Sequence, residues 1–362
     1  MKDVLDKAKW RRIMDDSAKT KMQNEKCKIT YQTSKFLIFA FCYLIFGCNQ
    51  SVQTPLSSPS DVSVNSLVPE AFQIVQQGLA DNDPRVRANV IEVVAATKTV
   101  PLLPKVQRLV NDQFVPVRFL AILALGDLKY GLAENGLMQL LKDKDHNVAI
   151  AAAYSLTKLG HPEYLKMIQN AVASNDQTVR ANAALLLGKS GDHSTLTQQA
   201  LLWTLQRKDS NDKVRFQAAE SLAMLGDQNI YPRLWAMLIS AYADDRVVGI
   251  RAMGALGTEQ AKNALLTMLD DSVLEVRLAA AEQLGKLQDT TGEPQVLEVF
   301  TKNLTANLDK QSLERVNMLT ALAIGQIGTK SLTKYLPQLL KDESKSVRIA
   351  AAKATLQCAM RK

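Results

Sequence analysis

One pattern constrains this chain more than any other. An Asp-containing turn leads to a Val, usually followed by Arg, then an Ala-rich run, then Leu-Gly, and the motif recurs to the C-terminus. The Val positions are Val86, Val117, Val148, Val179, Val214, Val248, Val276, Val316 and Val347, at intervals of 31, 31, 31, 35, 34, 28, 40 and 31. Recurrence at a period of roughly 20–50 residues marks stacked supersecondary units, not a string of unrelated globular domains.

Each unit reads as two helices. In Val179-Arg180-Ala181-Asn182-Ala183-Ala184-Leu185-Leu186-Leu187-Gly188, apolar residues at Val179, Ala183, Leu186 and Leu187 have the i, i+4, i+7, i+8 spacing of one helical face. Asp83, Asp145, Asp176 and Asp245 lie three residues before the Val, where a carboxylate accepts from free N–H groups at a helix start. Gly160, Gly191, Gly226 and Gly328 lie twelve residues after it and fit left-handed helix ends. Gly126, Gly188, Gly257, Gly285 and Gly325 lie nine after it, inside the helix, where Gly costs ~1 kcal/mol relative to Ala and points to close helix approach.

The helix before each turn has its own apolar face, as in Ile230, Leu234, Met237 and Leu238. Pro162 and Pro232 suit a first helical turn, while Pro104 and Pro337 lie deeper and predict kinks. The final helix carries Lys345, Arg348, Lys353, Arg361 and Lys362, as a solvent-facing cap should.

These units resemble HEAT repeats, specifically the short HEAT-like type of phycobilisome lyases, over residues 68–362. The resemblance implies an all-α fold, a right-handed α-solenoid of about nine stacked HEAT-like helix pairs. In such an array, stacking buries a core that one helix pair could not bury alone. It implies a protein-binding scaffold rather than an enzyme, since the fold alone specifies no chemistry. The alternative is a lyase-like accessory factor or chaperone for a cofactor-bearing protein.

The N-terminal part is organised differently. Phe36 to Phe46 is an eleven-residue apolar run, too short for a membrane span of ~20 residues but right for a signal-peptide core. Lys26, Lys28 and Lys35 precede it, and Ile45-Phe46-Gly47-Cys48 resembles the lipobox of bacterial lipoproteins. That resemblance implies lipidation at Cys48, a membrane anchor, and a bacterial envelope location, the outer membrane in particular because Asn49 is not Asp. The expected organisation is an upstream extension at 1–21, a signal peptide at 22–47, a Ser-rich tether at 48–67 and the repeats at 68–362.

Several chemistries find no support. The net charge is +8, but residues 1–47 hold ten Lys/Arg against five Asp/Glu, so the repeats are nearly balanced and no nucleic-acid partner is expected. His146, His161 and His193 are not followed by Glu, unlike the iron-holding pairs of HEAT-repeat deoxyhypusine hydroxylases, so neither metal nor cofactor is expected. Cys358 reads as a helix-packing residue, and Trp203 and Trp235 as core.

Two residue sets remain. Arg87, Arg118, Arg180, Arg215, Arg277 and Arg348 follow the Val in strict register, interrupted at Ala149, Gly249 and Asn317, and read as a structural ladder pairing with turn carboxylates. Polar residues interrupt the apolar helices at Asn89, Glu92, Asn182, Gln217, Glu220, Arg251, Glu282 and Gln283. They share one helical flank and are expected to bind a protein partner on the inner curve.

Overall fold

The computed structural model describes residues 63–361, and all regular structure among them is helical. In chain order the α-helices are α1 (Val64–Gly78), α2 (Pro84–Ala96), α3 (Leu103–Arg108), α4 (Val115–Asp127), α5 (Glu134–Leu140), α6 (His146–Leu159), α7 (Leu165–Ala171), α8 (Gln177–Ser190), α9 (Thr195–Gln206) and α10 (Asp212–Met224). They continue with α11 (Tyr231–Leu238), α12 (Ala243–Leu256), α13 (Glu259–Thr267), α14 (Leu274–Lys286), α15 (Glu293–Thr301), α16 (Lys310–Ile327), α17 (Lys330–Thr333), α18 (Leu336–Leu340) and α19 (Lys345–Met360). None of these is long and apolar enough to cross a membrane.

The helix of each unit that carries the recurring motif forms an unbroken row: α2, α4, α6, α8, α10, α12, α14, α16 and α19, each packed on the next. Their starts are set locally. Asp83, Asp145, Asp176, Asn211, Asp309 and Ser344 cap them by accepting from backbone N–H groups of the first turn. Close packing along the row needs small residues. A Cβ on Gly126 would lie 2.6 Å from the Ser155 Cα, and one on Gly188 would lie 2.8 Å from the Ser221 Cα.

The row closes on itself. The last helix, α19, packs on α16 on one side and on α1 and α2 on the other. This corrects the expectation of a solvent-facing terminal cap. Basic residues at the two ends of α19 have partners: Lys345 pairs with Asp81, Arg348 donates to the carbonyls of Asp342 and Glu343, and Arg361, just past the helix, to those of Gln326 and Ile327. Closure also explains why the helical region starts earlier than expected. Residues 64–67, assigned to the tether by their polar context, belong to α1, whose Leu67, Ala71 and Val75 are buried. The extension, the signal peptide, Cys48 and the rest of the tether lie outside the described residues.

Repeat six is out of its expected register by three residues. α12 starts at Ala243, so Asp245 takes the place held elsewhere by Val, and the partly buried Val248 is not its equivalent. Asp245 is consequently not a cap; it accepts from the Ser240 hydroxyl at 2.8 Å. The intervals on either side become 31 and 31, Gly257 becomes a left-handed helix end with φ 62°, and the ladder position passes from Gly249 to Arg246.

Two further expectations change. Pro104 and Pro337 do not kink continuous helices; each opens a new short one, α3 after a 3-10 turn and α18 after α17. Trp203 and Trp235 are not core: they are 46% and 38% exposed, with the Arg207 guanidinium over the Trp203 ring and Tyr231 stacked on Trp235.

Candidate functional site

With repeat six in its proper register, the sixth residue after the reference position is Glu92, Leu123, Tyr154, Leu185, Glu220, Arg251, Glu282, Leu322 and Lys353. Of these, Glu92, Arg251, Glu282 and Lys353 lie near enough to act on one another. The charges that act on Glu92 come from Lys353 on α19, Lys189 on α8 and Arg251 on α12, and these helices are spread around the row. Such groups can meet only where the helices all converge. Burial there pushes the Glu92 carboxyl up to about 7, although the three cations pull it down. Burial likewise raises Glu282 above the usual carboxylate range, against the pull of Lys353, Lys286 and Arg251.

The interior is therefore mixed. Leu123 and Leu322, at the same repeat position, are buried, Arg251 lies 3.4 Å from Glu220, and Glu220 accepts from Gln217 at 3.4 Å. On its flank the Tyr154 hydroxyl donates to Asp127, whose other oxygen sits 3.0 Å from Lys189 Nζ. A carboxylate that is about half protonated near neutrality, set among cations, can exchange a proton at little cost.

The structure divides the residues expected to bind a partner. Asn182, Gln217, Glu220 and Gln283 are buried, and Asn182 donates to Asn147 at 2.9 Å. Asn89, Glu92, Arg251 and Glu282 keep partial access. Glu92, Glu220, Arg251 and Glu282 converge, whereas Asn89, Asn182 and Gln217 sit three residues after the reference, one turn away. Sequence reasoning missed Lys353, Lys189 and Tyr154. Lys353 and Tyr154 stood at the same sixth position, but Lys353 was read as part of a polar cap, and Lys189 lies one turn further along the same face.

The arginines of the ladder serve the turns. Arg118, Arg277 and Arg348 donate to the carbonyl six residues back, at 2.9, 2.7 and 2.6 Å. Arg215 reaches the carbonyl of Lys208 at 3.2 Å. Arg87 does the same to Asp81 and also forks onto Asp112 of the next turn at 2.8 and 2.9 Å. Arg180 is fully buried, donating to the Ser174 carbonyl, the Ser210 hydroxyl and Asp209. Backbone carbonyls, more than the expected carboxylates, are the common partner.

Cys358 is half-buried with its thiol 3.7 Å from the Ile324 carbonyl, and burial pushes it up to about 11, against the pull of Arg361. His161 lies 2.9 Å from Glu134 on the outer turns. Among the described residues no cluster of metal-ligating side chains occurs.

The sequence matches the HEAT repeats family over residues 102–187, 134–223, 165–249 and 234–313, overlapping windows that cover more than half of the chain. The chain is a HEAT-repeat protein. Among curated proteins, it is 32% identical over 161 residues to the phycocyanobilin lyase subunit alpha of Picosynechococcus sp., a stretch covering 41% of this chain. The chain spans 57% of that relative's length. Among solved structures, it is similar to the complex of CpcE and CpcF of phycocyanin lyase from Nostoc sp. (17% identity, TM-score 0.40, covering 70% of this chain and 94% of that one). It is also similar to human deoxyhypusine hydroxylase (18% identity, TM-score 0.36, covering 74% and 99%).

Proposed function

We propose that this HEAT-repeat protein is a lyase-like accessory factor that holds a cofactor-bearing protein partner. The observation that carries this reading is the 32% identity to a phycocyanobilin lyase subunit, a protein whose name makes it one member of a multi-subunit lyase. A plain scaffold with no connection to an enzyme, the expectation from the fold alone, leaves that likeness unexplained. The test is to supply the protein with phycocyanobilin and an apo-phycocyanin acceptor. Faster or more selective bilin attachment, with co-elution of the two proteins, is expected; unchanged attachment and no co-elution would overturn the reading.

A second reading concerns location and rests on the apolar run from Phe36 to Phe46, the lysines before it and Ile45-Phe46-Gly47-Cys48. It places the array on an envelope membrane through a lipid on Cys48. Stable anchoring needs more than one acyl chain. Intact-mass measurement of the membrane fraction should show a chain starting at a lipid-modified Cys48; an unmodified Cys48 there would end this reading.

A further inference from the structure

The arginine ladder lacks its arginine at Ala149 and at Asn317, and beside Asn317 there is open space. Arg87 and Arg246 each reach the next turn and grip a carboxylate there with two contacts: Asp112 at 2.8 and 2.9 Å, and Asp271 at 2.8 and 2.9 Å. Asp342 stands in the same place in the last turn, five residues before Val347, as Asp112 precedes Val117 and Asp271 precedes Val276. Its ladder residue is Asn317, which reaches it with one Nδ2 donor at 3.1 Å. Beside this pair lies a cavity of about 160 Å³, bounded by Phe300, Asn303, Thr305, Asn317, Gln338 and Asp342.

We propose that this cavity binds a guanidinium group supplied from outside the chain, in the position that a ladder arginine fills in other repeats. The Asp342 carboxylate provides the planar acceptor that a guanidinium fork matches, and an ammonium lacks that fork. Asn303, Thr305 and Gln338, whose side chains carry oxygen acceptors, line the cavity as well. Phe300, stacked on Tyr335 at 3.8 Å, gives an aromatic wall of the kind that attracts cations. Val299 and Leu339 line the rest and suit a methylene stem. A cavity of about 150 Å³ holds a benzene-sized molecule, so a guanidinium with a short stem fits. Burial raises the Asp342 carboxyl above the usual range and Glu314 and Glu343 push the same way, against the pull of the Ser344 amide and Asn317. Asn303, exposed and part of the lining, lies on the stretch where the repeat interval widens to 40. This inference stands independently of the proposed function.

Calorimetric titration of the full chain with methylguanidinium, against methylammonium at equal ionic strength, tests it. Saturable binding of methylguanidinium alone is expected, weakened about tenfold or more in Asp342→Asn and abolished in Asn317→Arg, which supplies the guanidinium internally. Circular dichroism checks that both variants fold. If Asn317→Arg does not, Asp342→Asn decides alone. A parallel titration with N-acetyl-arginine amide separates the sources: binding admits an arginine side chain of another protein, and binding of methylguanidinium only assigns the cavity to a free small cation. Equal binding of the two methyl cations, or methylguanidinium binding undiminished in Asp342→Asn, would overturn the proposal.

Discussion

Lys345 Nζ lies 2.7 Å from an Asp81 carboxylate oxygen, although 264 residues separate them in the chain. Asp81 belongs to the first turn of the array and Lys345 to the first residue of its last helix. Burial works to raise the Asp81 carboxyl, but Lys345 and the Asp83 amide hold it below the usual range. The pair marks the seam at which the first and last repeats meet. It does not supply most of the seam's stability, because an ion pair with one partner half in solvent contributes about 1 kcal/mol or less. The buried Leu67, Ala71 and Val75 of α1 contribute more.

Glu92 should make stability depend on pH. Its carboxyl is raised from an ordinary value near 4.5 to about 7. Below about 4.5 it is protonated folded or unfolded. As pH rises from there to about 7 the unfolded chain loses the proton first, so stability falls, and above that window it levels off. Glu92→Gln should remove this slope and be more stable than the parent at pH 8 by about 1–3 kcal/mol, with no difference at pH 4. Denaturant melts at the two pH values check this; equal gaps at both would show that Glu92 ionises freely.

Arg180 and Arg277 occupy the same ladder position at different depths. Arg180 is fully buried and serves a carbonyl, a hydroxyl and a carboxylate, while Arg277 is partly exposed and serves two carbonyls. Arg180→Ala should cost about 2–4 kcal/mol and Arg277→Ala about 1 kcal/mol. Arg180→Lys should recover less than half of the loss, because an ammonium cannot satisfy the spread of acceptors that the guanidinium meets. Thermal or chemical melts give the ranking, and equal costs at the two sites would contradict it.

Glycine substitutions should carry opposite signs. A Cβ on Gly188 would meet Ser221 backbone and side chain at 2.7–2.8 Å, whereas one on Gly136 in α5 meets nothing within 4 Å. Gly188→Ala should destabilise by more than ~1 kcal/mol despite the better helix former, and Gly136→Ala should stabilise by about 0.5–1 kcal/mol. If both variants gain stability, the row packs more loosely at repeat four than described.

Much of this was legible in the sequence because the information is local. The caps at Asp83, Asp145 and Asp176, the helix ends at Gly160 and Gly191, and the close approach at Gly126 all follow from residues within one or two repeats. The register of repeat six misled because Val248 presents an apolar residue three positions late while a charged residue, Asp245, holds the reference place. Closure was not legible. It depends on small rotations summed over the repeats, which no single motif records. Once the row closes, a flank that reads as an open curve becomes an interior, and Lys353 changes from a cap residue into a neighbour of Glu92.

Carbodiimide coupling reports whether the array is closed, since the reagent joins an amine to a carboxylate only where the two touch. Mass spectrometry of the digested monomer should reveal an Asp81–Lys345 link at a yield comparable with links within the row, such as Lys189–Asp127 and Lys262–Asp289 at 3.0 and 2.8 Å. Recovery of those two links without the Asp81–Lys345 link would contradict a closed array.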